Sequence, residues 1–181
     1  MNGDCLDKYK DEEIQKIFFG ASALFQMNGP MRFINDLINV PNWQHTALWA
    51  GDSTSPNAKG VVFAYGNYYP TMYDTSCDGA RINEMTLAEF QRLHDAFEVK
   101  ELKTGRNMTV GEVATEISQQ DIWRQENYNW RTHNCQHFTA EIVGILEATI
   151  PEPTNTDKRR IPSVVMNKLV KNDYFLGYEM I

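Results

Sequence analysis

The chain has 181 residues, of which 42% are hydrophobic and 23% charged, a balance that fits one globular domain with a buried core. Its formal net charge is −7 and its densest basic run is only Lys158-Arg159-Arg160, so we predict no nucleic-acid binding. The apolar run at residues 17–25 is too short for a membrane helix, and three widely spaced cysteines make no disulfide framework, so we expect a cytoplasmic protein with no integral membrane segment.

The first half of the chain predicts helices and then strands. Apolar residues near helical spacing predict an amphipathic helix over residues 11–27, and Pro30 suits the first turn of a second helix that runs to residue 38. After residue 38 the spacing of apolar residues no longer fits a helix. Residues 45–50 and 61–65 are rich in β-branched and aromatic side chains, and we predict a hairpin of two strands joined by a polar loop. Residues 67–81 are predicted to be irregular.

The second half carries stronger helix-start signals. Thr86 and Thr109 each precede a glutamate by three residues, which is capping-box spacing, and the second helix should run to about residue 123. Residues 97–102 alternate like a strand. Asn134 is a good N-cap for a helix over residues 135–148, and a linker should lead to a last helix over residues 163–171.

These elements predict an α+β fold, a small antiparallel sheet with helices packed around it. We expect a single domain over residues 1–181, with its core at about residues 40–150 and helical extensions at both ends.

Cys135 is the candidate nucleophile. It would occupy the start of a helix, where the helix dipole stabilises a thiolate and lowers the thiol pKa. The thiolate is the form that attacks carbonyl carbon. His45, at the start of a predicted core strand, is the candidate base, because a catalytic pair is defined by geometry and not by chain order.

The two segments together resemble the lecithin:retinol acyltransferase-like group. The strand segment, residues 43–52, reads WQHTALWAGD, in which a histidine precedes an apolar run and then Gly-Asp at a turn. The helix start, residues 134–138, reads NCQHF and is similar to the nucleophile motif Asn-Cys-x-His-Phe of that group. The related PPPDE-type peptidases carry a similar motif. Both belong to the permuted branch of the NlpC/P60 superfamily, in which the histidine strand precedes the cysteine helix. The resemblance covers residues 43–150.

The resemblance implies a permuted papain-like fold, with Cys135 as nucleophile and His45 as base. It also implies a polar residue in the next strand that orients the base, and that position is Phe63, which can neither donate nor accept a hydrogen bond. Tyr65 lies two residues on, on the same strand face, and is the candidate third residue, with Asn67 the next option. In peptidase-like members a Cys-His dyad suffices.

The other histidines suggest no further chemistry. His133 and His137 would lie on one side of a helix with Cys135 roughly opposite, a poor arrangement for metal ligands. We therefore expect no metal and no cofactor. His137 is predicted to hydrogen-bond within the fold, and His94, in a polar helix, to lie at the surface.

We predict a cysteine-dependent hydrolase or acyltransferase that works through a thioester intermediate. Its substrate would be a peptide, a protein or an acyl lipid, cleaved at an amide, isopeptide or acyl ester bond. The alternative is a non-catalytic interaction module that retains the fold, which the apolar Phe63 would fit.

Overall fold

The computed structural model describes residues 8–23, 44–66, 80–94, 98–150 and 153–169. Within them lies a five-stranded antiparallel sheet. Its strands are β1 (Lys16–Ala23), β2 (Gln44–Gly51), β3 (Lys59–Tyr65), β4 (Ala80–Thr86) and β5 (Glu98–Leu102), in the spatial order β4-β3-β2-β1-β5. The predicted class, α+β with a small antiparallel sheet, is confirmed at this level.

Helices cover both faces of the sheet. They are α1 (Leu87–His94), α2 (Val110–Ser118), α3 (Cys135–Ile145), α4 (Asn155–Arg160) and α5 (Ser163–Leu169). Helix α3 packs across β2 and β3 and is covered in turn by α5. Helix α1 lies on the opposite face, against β1, β4 and β5.

The helix predicted over residues 11–27 is wrong where the structure describes it, because Lys16–Ala23 is strand β1, between β2 and β5. Ile17 and Phe19 are buried in the larger core under α3, whereas Phe18 is buried in the smaller core under α1. A strand covered on both faces is a continuous apolar run, which periodicity cannot separate from a buried helix. The sheet therefore recruits chain from before residue 40. Residues 24–43, which include the predicted second helix, lie outside the described part.

Two further elements differ from prediction. The first residues of strand β4 fall in the stretch predicted to be irregular. Within the described sheet β4 is an edge strand paired with β3, and edge strands carry little apolar signal. The predicted linker after α3 contains α4, which Thr154 caps by accepting the Asp157 N–H while the Asp157 carboxylate accepts the Thr154 N–H. Helices α2 and α3 end before the predicted residues, at Ser118 and Ile145.

The predicted hairpin and helix starts are confirmed. Residues 47–51 of β2 pair antiparallel with residues 60–64 of β3. Thr86 and Thr109 each accept a main-chain N–H from the glutamate three residues on and donate their own N–H to its carboxylate. These reciprocal bonds satisfy amides that the first turn of a helix leaves without a partner.

The side chains of β2 divide regularly between the two faces of the sheet. Leu48 and Ala50 belong to the core under α3, and Ala47 and Trp49 to the core under α1. The pairing with β1 is unbroken from Gln44 to Gly51, so the alternation continues to the start of the strand. This alternation decides where each candidate catalytic side chain points.

Candidate active site

Cys135 is the first residue of α3, as the sequence predicts. The side-chain oxygen of Asn134, the N-cap, accepts hydrogen bonds from the main-chain N–H groups of Gln136 (2.9 Å) and His137 (3.2 Å). The same amide group donates to the main-chain carbonyl of Trp130 at 2.7 Å, which fixes the preceding turn against the helix start. The backbone at the candidate nucleophile is therefore held from both sides.

The Cys135 thiol points into the core beneath α3, and the residue is only 2% exposed. The main-chain N–H and hydroxyl of Thr46 on β2, and the N–H groups of Gln136 and of Cys135 itself, favour the ionised thiol and lower its pKa. Burial nevertheless outweighs these donors and raises the thiol pKa above its ordinary value. The expected lowering of the thiol pKa is thus wrong for this arrangement, because the sulfur at the helix start is shielded from water.

His45 points to the other face of the sheet. It pairs with Ser22 of β1 and lies one residue before Thr46, whose hydroxyl meets α3 at Thr139. The imidazole is therefore on the α1 side, and its Nε2 atom is buried. The expectation that the strand would aim His45 at the start of α3 is not met, since the central strand separates the two side chains.

A second histidine shares that face. His94 ends α1, is only 1% exposed, and donates its Nδ1–H to the carbonyl of Phe90 at 2.7 Å. Its ring lies against the Phe90 ring, with centroids 4.3 Å apart, and covers the backbone of Gly20 on β1. The prediction that His94 is a surface residue is wrong. Its spacing from Leu87 and Phe90, the buried residues of α1, would have identified it as core-facing.

His94 favours the neutral form of the His45 imidazole. Burial, and then the proximity of His94, lowers the pKa of His45 to about 3. Burial also lowers the pKa of His94. Both rings are neutral at physiological pH, so His45 is in the protonation state that a general base requires, although it faces away from the thiol.

Tyr65 lies on the side of Cys135 and not on that of His45. Its hydroxyl donates to the carbonyl of Arg124 at 2.8 Å. Its ring contacts those of Trp123, Tyr128 and Phe138, with centroids 5.4 to 5.5 Å apart. The structure therefore does not bring Tyr65 to the His45 ring, as the third-residue hypothesis requires. Phe63 is buried in the same core, and Asn67 lies outside the described residues.

His137 and His133 flank the helix start. His137 donates its Nδ1–H to the Asn134 side-chain oxygen at 2.9 Å, so the predicted hydrogen bond within the fold is confirmed. Burial, and then the proximity of His133, lowers the pKa of His137. Among the residues that the structure describes, no three His, Cys, Asp or Glu side chains are grouped to hold a metal ion.

Comparison of the chain with protein-family profiles, with curated proteins and with solved structures finds no match. No helix in the described ranges is long and apolar enough to span a membrane. Fold and site together define an α+β protein in which a capped helix holds a buried cysteine thiol against the central strand of an antiparallel sheet.

Proposed function

We propose that this protein is a cysteine-dependent hydrolase or acyltransferase with the permuted papain-like fold. Cys135 is the nucleophile, and His45 serves as its base after the first residues of β2 rearrange. The observation that carries the proposal is the Cys135 environment: the thiol is at the start of a helix capped by Asn134, and N–H and hydroxyl donors of Gln136 and Thr46 favour its ionised form. Such donors are what a thiolate and the oxyanion of a tetrahedral intermediate require.

The chain order supports the fold assignment. A strand that carries His45 precedes the helix that begins with Cys135, and that helix packs on the same strand. This is the order of the permuted NlpC/P60 branch, which the two sequence motifs resemble. The coarse architecture, five antiparallel strands with the cysteine helix across β2 and β3, is compatible with that assignment.

The start of β2 is the part of the strand that a rearrangement would involve. Residues 47–51 are held by ladders on both sides, to β1 and to β3. Among the described residues, Gln44, His45 and Thr46 pair with β1 and not with β3. In the described sheet, this strand end is therefore held by a ladder on one side. A β-bulge at His45 would bring the imidazole to the side of α3 while Thr46 keeps its hydrogen bond to Thr139 there.

The proposed chemistry is acyl transfer in two steps. His45 takes the thiol proton, the thiolate sulfur bonds to the carbonyl carbon of the substrate, and a tetrahedral oxyanion forms. The carbon–nitrogen or carbon–oxygen bond breaks, and the imidazolium returns its proton to the leaving amine or alcohol. Water, or an acceptor hydroxyl or amine, then attacks the thioester with His45 as base and releases the Cys135 thiol.

A second function, a non-catalytic interaction module, is favoured by a different observation. The thiol is buried with a raised pKa, and the central strand separates it from His45. A protein with this arrangement and no rearrangement of β2 would keep Cys135 as a packing residue. The two functions differ in whether an acyl group ever becomes attached to the sulfur.

Trapping of the acyl-enzyme tests the proposal. Intact-mass spectrometry after a brief acid quench would follow incubation with a panel of activated acyl esters, peptide amides and ubiquitin-like carboxyl-terminal amides. We expect one acyl adduct, located on Cys135 by peptide mapping and absent from Cys135→Ser. Adducts of equal yield on Cys135→Ser, or none with any substrate class, would favour the interaction module.

The chain has only four histidines, so the base can be identified completely. Single alanine variants of His45, His94, His133 and His137 would be compared in the same acylation assay. The proposal expects the largest loss of acylation rate in His45→Ala, on the order of a hundredfold or more for removal of a general base. An equal or larger loss in His133→Ala or His137→Ala alone would transfer the role of base to that residue.

A further inference from the structure

Two threonines connect the candidate nucleophile to the central strand. Thr46 of β2 and Thr139 of α3 are both fully buried, and their hydroxyl oxygens are 2.9 Å apart. Thr139 follows Cys135 by four residues, so both side chains leave the same side of the helix toward the sheet. The bond to Thr139 therefore places Thr46 one helical turn from Cys135, and the Thr46 hydroxyl and main-chain N–H favour the ionised thiol.

The two buried hydroxyls are not needed to fill the core at this position. Valine has nearly the shape of threonine and would fill the same space without any hydrogen-bonding requirement. Buried hydroxyls stabilise a core only when each finds a partner, and an apolar pair often serves equally well. Here the partners are each other and the thiol.

The hydrogen bonds can run in only one direction when the sulfur is charged. A thiolate only accepts, so the single hydroxyl proton of Thr46 must point to the sulfur. The Thr46 oxygen is then an acceptor, and the Thr139 hydroxyl donates to it. Ionisation of the thiol therefore orders a chain of two hydroxyls that ends at the sulfur.

We infer that Thr46, supported by Thr139, is a further residue of the reaction centre, a hydroxyl donor that stabilises the Cys135 thiolate on the side away from the helix amides. Its role is to lower the energy of the nucleophile, and not to move a proton to the substrate. The inference rests on the proposed function for its catalytic meaning only, because the state of the thiol can be measured without turnover.

The test is a thiol titration. The background is a Cys5→Ser/Cys77→Ser protein labelled with carbon-13 at the cysteine Cβ, so that Cys135 gives the signal and no reagent needs access to the buried sulfur. A hydrogen bond to a charged group corresponds to about one to two pKa units, so Thr46→Val should raise the thiol pKa by about one unit or more. Thr46→Ser, which keeps the hydroxyl, should titrate like the parent.

Thr139→Val should raise the thiol pKa by a smaller amount, because it removes the support and not the donor. If Thr46→Val folds poorly, Thr46→Val/Thr139→Val leaves no hydroxyl without a partner and carries the same measurement. A thiol pKa in these valine variants equal to or below that of the parent overturns the inference. Acyl transfer retained in Cys135→Ser would instead overturn the proposed function, whatever the titration gives.

Discussion

His45 and Cys135 lie on opposite faces of strand β2, the central strand of the sheet. Thr46, the next residue after His45, hydrogen-bonds to Thr139 of α3 and favours the ionised thiol, whereas the half-buried His45 lies near His94 on the α1 side. A local bulge that re-aims His45 alone would bring the imidazole to the side of the sulfur. The sheet therefore lies between the two side chains of the candidate dyad.

The buried histidines should make the fold acid-sensitive. The pKa values of both histidines are lowered in the folded state. At pH values below the ordinary histidine pKa of about 6.5, the unfolded chain therefore binds more protons than the folded protein does. Stability is therefore full above about pH 6.5 and falls as the pH decreases toward the folded value of about 3 for His45. Charged side chains on this side of the sheet include Lys16 and Glu101, which form an ion pair, and Arg92 of α1.

Urea unfolding at about pH 7 and about pH 5 would measure this effect. A histidine that stays neutral in the folded state contributes about 1.4 kcal/mol per pH unit in the sensitive range, so His45 should account for a loss of about 2 kcal/mol in the parent, and His94 should add to that loss. His45→Gln and His94→Gln should each reduce that loss. The control is Ser118→Ala, at an exposed position that carries no titratable group, which should not change it. Parallel pH profiles for the parent and His45→Gln would contradict the buried neutral pair.

Gly20 provides a test of how closely α1 packs on β1. A Cβ at this position would lie 2.6 Å from Phe90 Cζ and 2.8 Å from His94 Cγ, both inside normal contact distance. Gly20→Ala should therefore destabilise the protein by about 1 to 3 kcal/mol, the usual cost of overpacking. Gly144 in α3 is the matched control, because the nearest atoms to its Cβ position are side-chain atoms of Lys168 at 3.8 and 3.9 Å.

Gly144→Ala should stabilise the protein by roughly 0.5 to 1 kcal/mol, since alanine is the better helix former. Gly20→Ala/Phe90→Leu should recover part of the stability that Gly20→Ala loses, because the smaller side chain removes the closest contact. Chemical denaturation of the four proteins checks the series. Equal stability of Gly20→Ala and the parent would mean that α1 sits farther from the sheet.

Much of this arrangement could be predicted from the sequence where a local chemical signal exists. Asn134 and Thr109 identify helix starts because their side chains bond to amides of the next turn. The β2–β3 hairpin follows from its apolar composition. No comparable signal tells which face of β2 meets α3: Leu48 and Ala50 on one side and Ala47 and Trp49 on the other are all buried. Because both faces of β2 are covered, its sequence does not alternate between apolar and polar residues. It therefore does not indicate which face packs on α3.

Tyr65→Phe distinguishes a structural hydroxyl from a catalytic one. The Tyr65 hydroxyl donates to the Arg124 carbonyl, and its ring belongs to the aromatic cluster under α3. We expect Tyr65→Phe to lose about 1 kcal/mol of unfolding free energy, the net value of one hydrogen bond. Its acylation rate and pH profile should match the parent. A fall in rate with unchanged stability would restore the third-residue hypothesis for Tyr65.

In the resting protein, His45 should have almost no effect on the pKa of the Cys135 thiol. In an assembled thiolate–imidazolium pair, the imidazolium lowers the thiol pKa by several units, and removal of the histidine raises it again. Here the side chains occupy opposite faces of the sheet, so His45→Ala should leave the resting thiol pKa within about 0.3 units of the parent. The rearranged state that the proposed function requires would still make acylation depend on His45. We therefore expect His45→Ala to separate two measurements: an unchanged thiol titration and a greatly reduced acylation rate.

His94→Ala serves as the control, because it opens the same face without removing the proposed base. A thiol pKa that rises by one unit or more in His45→Ala would mean that the dyad is already assembled at rest. Unchanged titration together with unchanged acylation would remove His45 from the mechanism altogether.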